Sequence, residues 1–148
     1  MVLSTIAGTT TPKVAALPKV ENSSYKVVKE ISTKDVENMM STEQYVRQYF
    51  SDIPIMIQIA RCESTFRQLD DDGEVHRGRV VREDVGVMQI NETYHLETAE
   101  KKNYNIYTIE GNTAYARDLY ERQGTQPWNS SKACWGKYEN SNLAINSK

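Results

Sequence analysis

Two carboxylic acids stand in contrasting surroundings and could do acid–base chemistry together. Glu63 directly follows an almost wholly apolar run, residues 53–62, which predicts a buried side chain with a raised pKa. Asp84 precedes a glycine turn and two carboxamides, in residues 86–91, which we expect to keep Asp84 ionised. A neutral acid paired with a charged carboxylate is the arrangement that cleaves glycosidic bonds. The sequence therefore predicts an enzyme that cuts a polysaccharide, with Glu63 as the proton donor.

Each acid also has a simpler interpretation, as a surface carboxylate in an ion pair with a nearby arginine. The candidate partners are Arg61 and Arg67 for Glu63, and Arg79 and Arg82 for Asp84. Asp84 could also cap the turn before Gly86. For Asp84 we regard the catalytic and structural interpretations as equally supported.

The acid Glu63 must be positioned by the segment before it. Ser41–Gln44 fits a capping box, which predicts a helix to about Phe50. A second helix is predicted to start at Pro54, since proline suits a first turn. The alternating isoleucines at positions 53–59 also fit a strand, but the apolar run continues through Cys62, so we favour a helix buried on all sides.

Asp84 must be positioned by a small sheet. The stretch Asp70–Gly73 predicts a solvated turn rather than a calcium loop, because the ligand spacing of an EF-hand is missing. Residues 74–81 alternate loosely and predict one strand of an antiparallel sheet. Gln89 and Asn91 lie two apart, so on a strand they would face the same cleft.

The sequence predicts mainly helices in the second half of the chain. We predict a helix over 92–101 capped by Asn91, and another over 109–123 capped by Thr108 and ended by Gly124. A short last helix starts at Ser130 or Ser131 and runs to Gly136. Trp128 and Trp135 are expected in the core. The fold class is a mostly helical α+β domain.

The 148 residues fit one folded domain, which we place at 32–137. Residues 1–31 are expected to be a flexible linker or tether, and 138–148 a polar tail. The net charge of −2, with scattered basic residues, gives no nucleic-acid footprint. No apolar run approaches the roughly 20 residues of a membrane span, and no signal peptide is seen. We expect that a native signal was replaced by Met1.

The motifs Cys62–Phe66 and Gly86–Asn91 resemble those of the lysozyme-like superfamily, over roughly Val36 to Lys137. The resemblance is closest to lytic transglycosylases of the soluble (SLT) type. It implies a helical domain whose small sheet flanks a saccharide cleft, and cleavage of the β-1,4 bond between N-acetylmuramic acid and N-acetylglucosamine in peptidoglycan. Asp84 stands where transglycosylases carry a small residue and c-type lysozymes carry their second carboxylate.

The resemblance carries the catalytic acid onto Glu63 and makes Asp84 a second catalytic candidate. The resemblance also implies that four side chains bind the substrate, namely Ser64, Gln89, Asn91 and Tyr115. The Ala-Tyr-Asn-Ala-Gly segment of the transglycosylases is absent, and Ala114–Ala116 replaces it poorly. With a working Asp84, water would open a glycosyl-enzyme or ion-paired intermediate. Without it, the sugar's own C6 hydroxyl would close on C1 to give a 1,6-anhydro product, as the resemblance to transglycosylases implies. The alternative function is a glycan-binding or structural module without useful catalysis.

The remaining expectations concern cysteines, metals and location. One pair of cysteines in a protein expected to be exported favours a Cys62–Cys134 disulfide over two buried thiols. His76 and His95 lack further ligands at useful spacing, so neither a metal nor a cofactor is expected. We expect a monomer that works outside the cytoplasm on glycan strands.

Overall fold

Five α-helices and one two-stranded sheet make up residues 40–139, the part of the chain that the computed structural model describes. The elements, in order, are α1 (Thr42–Tyr49), α2 (Pro54–Ser64), β1 (Asp84–Val85), β2 (Ile90–Asn91), α3 (Glu92–Lys101), α4 (Ile109–Gln123) and α5 (Lys132–Trp135). Two 3-10 helices, Gln126–Ser131 and Gly136–Tyr138, flank α5. The predicted α+β class with mostly helical content is confirmed. The predicted linker, residues 1–31, lies outside the described residues, as do 32–39 and 140–148.

Side-chain caps start three of the helices, as predicted. The Ser41 hydroxyl accepts from the Gln44 amide at 3.2 Å while the Gln44 side chain accepts from the Ser41 amide at 2.9 Å. Asn91 caps α3 and Thr108 caps α4 through equivalent bonds to the third residue of each helix. Gly124 ends α4 with a positive φ of 61°.

The ambiguous apolar run forms a helix. Ile55, Met56, Ile59 and Ala60 of α2 are buried, and Ile57 and Cys62 are half-buried against the same core. A helix with so many apolar faces satisfies its own backbone and can be surrounded by other elements. The helix ends at Ser64, so Glu63 lies in its last turn.

The predicted strand over residues 74–81 is wrong. The sheet instead pairs β1 with β2, in the register Asp84 with Asn91 and Val85 with Ile90. Residues 74–81 make two isolated bridges, Leu69–Val75 and Arg77–Val85. The Gly78 amide donates to the Asp84 carbonyl at 2.8 Å, which closes the chain into a loop and leaves Val80 95% exposed. The alternation therefore has no continuous partner strand. The turn at Asp70–Gly73 is confirmed by the bond from the Gly73 amide to the Asp70 carbonyl.

One apolar core lies between the helices and the sheet. Trp128 and Trp135 are 2% and 0% exposed, which confirms their predicted place in it. Tyr138, assigned to the tail by the sequence, accepts a hydrogen bond from Arg61 at 2.8 Å. Among residues 40–139, no helix is long and apolar enough to cross a membrane.

A disulfide joins α2 to α5. Cys62 and Cys134 are bonded, with their Cα atoms 6.0 Å apart, and they are 72 positions apart in sequence. The predicted pairing is confirmed. It fixes the residue next to Glu63 to the C-terminal helices.

Candidate active site

A cavity of about 110 Å³ brings the two acids together where α2, the sheet, α3 and the first 3-10 helix meet. Its walls are formed by Glu63, Asp84, Gln89, Ile90, Asn91, His95, Leu119, Pro127, Trp128 and Ser130. Four predicted site residues are therefore neighbours: both acids and both carboxamides. A larger groove of about 660 Å³, lined by residues such as Phe66, Arg67 and Tyr107, contains no pair of carboxylates.

Glu63 is held in mostly buried surroundings. Burial raises the pKa of its carboxyl, a hydrogen bond from Ser131 opposes that rise, and the charge of Asp84 adds to it. The expected raised pKa is confirmed in direction. The two arginines proposed as ion-pair partners are engaged elsewhere, Arg61 with Tyr138 and Arg67 with the Ser64 carbonyl.

Ser131 is a site residue that the sequence analysis missed. Its hydroxyl donates to Glu63 Oε1 at 2.6 Å, and the Trp135 indole N–H donates to the same hydroxyl at 2.9 Å. The buried indole therefore orients the serine, and the serine orients the acid. The only sequence signal at Ser131 was a possible helix start, because its partner Glu63 lies 68 positions away.

Asp84 lies opposite Asn91 on the paired strands, and its Oδ1 accepts from the Asn91 side-chain amide at 2.8 Å. Burial raises the pKa of Asp84, the Asn91 bond opposes this, and the charge of Glu83 adds to the rise. Burial outweighs the single amide, so the pKa of Asp84 lies above its ordinary value, as that of Glu63 does. The expectation that polar neighbours keep Asp84 ionised stays a prediction. No ion pair of Asp84 with Arg79 or Arg82 occurs within the described residues.

Side chains from distant elements hold the turn between the two strands. Gln68 accepts from the Val87 amide at 3.0 Å, and Asn112 accepts from the Met88 amide at 2.9 Å. The Trp128 indole donates to the Met88 carbonyl at 2.9 Å. These bonds satisfy backbone groups that the two-residue strands leave unpaired, so the turn has a fixed shape.

Gly86 is required at the start of this turn. Its φ is 71°, and a Cβ there would lie 2.5 Å from Asn112 Nδ2 and 2.8 Å from Gln68 Oε1. The glycine thus allows both polar side chains to reach the backbone of the turn. Gln89, at the end of the turn, also has a positive φ of 49° and donates to the Gly86 carbonyl at 3.0 Å. Gln89 and Asn91 both line the cavity, as expected, but Gln89 lies in the turn and only Asn91 lies on a strand.

Two predicted substrate-binding residues do not line the cavity. Ser64 is 3% exposed, and its hydroxyl donates to the Val87 carbonyl at 2.9 Å, which ties α2 to the turn. Tyr115 is 1% exposed, and its hydroxyl bonds His95, which does line the cavity. Both residues support the walls from behind.

The chemistry available at the cavity is proton transfer and charge stabilisation by carboxylates. Within residues 40–139, no group of three or more His, Cys, Asp or Glu side chains could hold a metal ion. No protein-family model matches this sequence, and no curated protein or solved structure matches it either. The residues and geometry of the cavity therefore carry the functional argument.

Proposed function

We propose that this protein is a peptidoglycan-cleaving glycosidase with Glu63 as its general acid. The observation that carries the proposal is that a partly buried glutamate with a raised pKa shares one cavity with a second carboxylate, Asp84. Burial keeps a proton on Glu63 at a pH where an exposed glutamate would have lost it. The substrate follows from the resemblance of the two motifs to the lysozyme-like superfamily, whose fold we propose for the domain.

In this mechanism Glu63 gives its proton to the oxygen between N-acetylmuramic acid and N-acetylglucosamine as the C1–O bond breaks. The positive charge that grows at C1 is stabilised by the Asp84 carboxylate, which Asn91 orients through its amide. Water then attacks C1 and returns a proton to the Glu63 carboxylate. Gln89 and Asn91 offer amide groups to the sugar from the same wall.

Hydrolysis is the outcome that a second carboxylate in the cavity favours. A transglycosylase would need only Glu63, with the sugar's own C6 hydroxyl closing on C1 to form a 1,6-anhydro product. The disulfide supports a site of action in an oxidising compartment outside the cytoplasm.

The test is mass spectrometry of purified peptidoglycan digested with the wild type and with Glu63→Gln. We expect products with ordinary reducing ends from the wild type and a loss of about 10³-fold in turnover from the variant, because the amide has no proton of suitable acidity. Glu121→Gln is the matched control, since Glu121 is an exposed glutamate of α4.

The possible results separate the candidate functions. Full activity in Glu63→Gln would contradict the proposal. Anhydro ends would identify a transglycosylase and reduce Asp84 to a supporting residue. Saturable glycan binding without any cleavage would indicate the binding module instead.

A further inference from the structure

His95 is the one imidazole among the residues that line the cavity, and the chemistry proposed for the two acids does not use it. It lies on α3 and is half-buried. Its Nδ1 atom is 3.1 Å from the hydroxyl of Tyr115, whose ring meets the imidazole edge-on with centroids 5.6 Å apart. The other ring nitrogen, Nε2, has no hydrogen-bond partner within residues 40–139, so it is available to a ligand in the cavity that His95 lines.

The surroundings of Tyr115 select one neutral form of the imidazole. Among residues 40–139, the hydroxyl of the buried Tyr115 has one hydrogen-bond partner, Nδ1 of His95. If Nδ1 carried the ring proton, the buried phenol proton would have no acceptor, so the tyrosine donates its proton to Nδ1 of His95. With Nδ1 as the acceptor, the ring proton resides on Nε2.

The imidazole is also kept uncharged. Burial lowers the pKa of His95, and the positive charge of Arg122 lowers it further. A neutral ring with its proton on Nε2 is a fixed hydrogen-bond donor, next to the acids but without a charge that would compete with the proton of Glu63.

We propose that His95 is a substrate-binding residue whose Nε2–H donates a hydrogen bond to an oxygen of the sugar bound in the Glu63 cavity. The inference rests on the proposed function for the identity of the ligand. In this inference Tyr115 is a positioning residue, which sets the orientation of the imidazole and the position of its proton without contacting the sugar. It also explains why a buried tyrosine stands behind the wall without reaching the cavity.

Two substitutions separate this role from a purely structural one. His95→Gln keeps a donor near the position of Nε2, and His95→Asn keeps a polar group near the position of Nδ1. A cavity donor is therefore rescued by glutamine, whereas a partner needed only by Tyr115 is rescued by asparagine.

The experiment is calorimetric titration of a peptide-free tetrasaccharide of alternating N-acetylglucosamine and N-acetylmuramic acid into full-length protein. Each variant is made in the Glu63→Gln background, so that binding is measured without cleavage. We expect the parent and His95→Gln to bind within about twofold of each other, and His95→Asn to bind about fivefold more weakly, as loss of one hydrogen bond predicts. Tyr115→Phe should weaken binding less than His95→Asn does.

Tighter binding by His95→Asn than by His95→Gln would overturn the inference, as would equal affinities of the two variants. Cleavage by the wild type, measured in parallel, distinguishes this failure from that of the proposed function. If the wild type cleaves and the two variants bind equally, only the role of His95 is wrong. If the wild type does not cleave but the glutamine and asparagine variants differ as expected, the enzyme proposal fails and the sugar contact stands.

Discussion

Two walls of one cavity hold their carboxylates by different physical means. The helical wall is α2 together with the 3-10 helix Gln126–Ser131, and it holds Glu63 by apolar burial and one hydroxyl. The hairpin wall is residues 84–91, and it holds Asp84 on two very short strands whose turn is fixed by side chains from elsewhere. Burial dominates the pKa of both acids, but only Asp84 has an amide partner on its own wall.

The two walls are therefore sensitive to different kinds of substitution. The helical wall rests on many apolar contacts, each of modest size, so no single one of them is essential. The hairpin wall depends on a few buried polar side chains. Loss of one of them leaves several backbone groups without hydrogen-bond partners. Four substitutions test this contrast.

Of these four substitutions, Asp84→Asn is expected to have the largest effect on activity, and it tests whether the hairpin wall takes part in catalysis as well as forming the cavity. An asparagine oxygen can still accept from Asn91, so the wall is retained while the negative charge is lost. We expect hydrolysis to fall about 10²-fold, because stabilisation of the charge at C1 is removed. The rate of hydrolysis is measured by the release of reducing ends, and Asp71→Asn, in the exposed turn, is the control. Activity within twofold of wild type would leave Asp84 a structural residue.

Next in size is the stability effect of Asn112→Ala. Asn112 is fully buried and bonds three backbone groups, the amide of Met88 and the carbonyls of Val85 and Ile106. We expect the free energy of unfolding to fall by about 3 kcal/mol, since these groups lose their partners.

Ile59→Val, in the core of the helical wall, gives the comparison for Asn112→Ala. We expect Ile59→Val to lower the free energy of unfolding by about 1 kcal/mol, as removal of one buried methylene usually does. Urea denaturation measures both variants, and Asn129→Ala controls for loss of an exposed asparagine. A larger loss in Ile59→Val than in Asn112→Ala would reverse the contrast between the walls.

The smallest effect is a pH shift from Ser131→Ala. The serine donates to the Glu63 carboxylate and so lowers its pKa, which means that the alanine variant has a higher Glu63 pKa. Because a general acid works in its protonated form, the high-pH limb of kcat/KM should move to higher pH. A pH–rate profile measures this, with Ser51→Ala as the exposed control. A limb that stays in place or moves to lower pH would show that the hydroxyl does not tune the acid.

Local chemistry explains which features were predictable from the sequence. The caps Ser41, Asn91 and Thr108 act within three residues of themselves, so a short motif is sufficient to place three helix starts. The burial of Glu63 was visible in the apolar run before it, and the disulfide in the count of two cysteines.

Long-range contacts explain what was missed. Ser131 bonds Glu63, which is 68 positions away in sequence, and Asn112 bonds Met88, which is 24 positions away. A local sequence pattern therefore predicts neither bond. The alternation over residues 74–81 was misleading because a strand is defined by a partner, and this stretch closes into a loop instead. Ser64 carries a motif position but is turned toward the Val87 carbonyl rather than the cavity.

The Cys62–Cys134 bond has a consequence for survival among proteases. All ten residues that line the cavity lie between the two cysteines, so the entire site belongs to one covalently closed ring. A single cut in an exposed loop of this ring, such as the one that presents Val80, opens the ring but leaves both pieces joined through sulfur. The core contacts can then hold the nicked chain in its folded form, and the two acids stay on one molecule. Under reducing conditions the same cut would leave the two acids on separate fragments with no covalent bond between them.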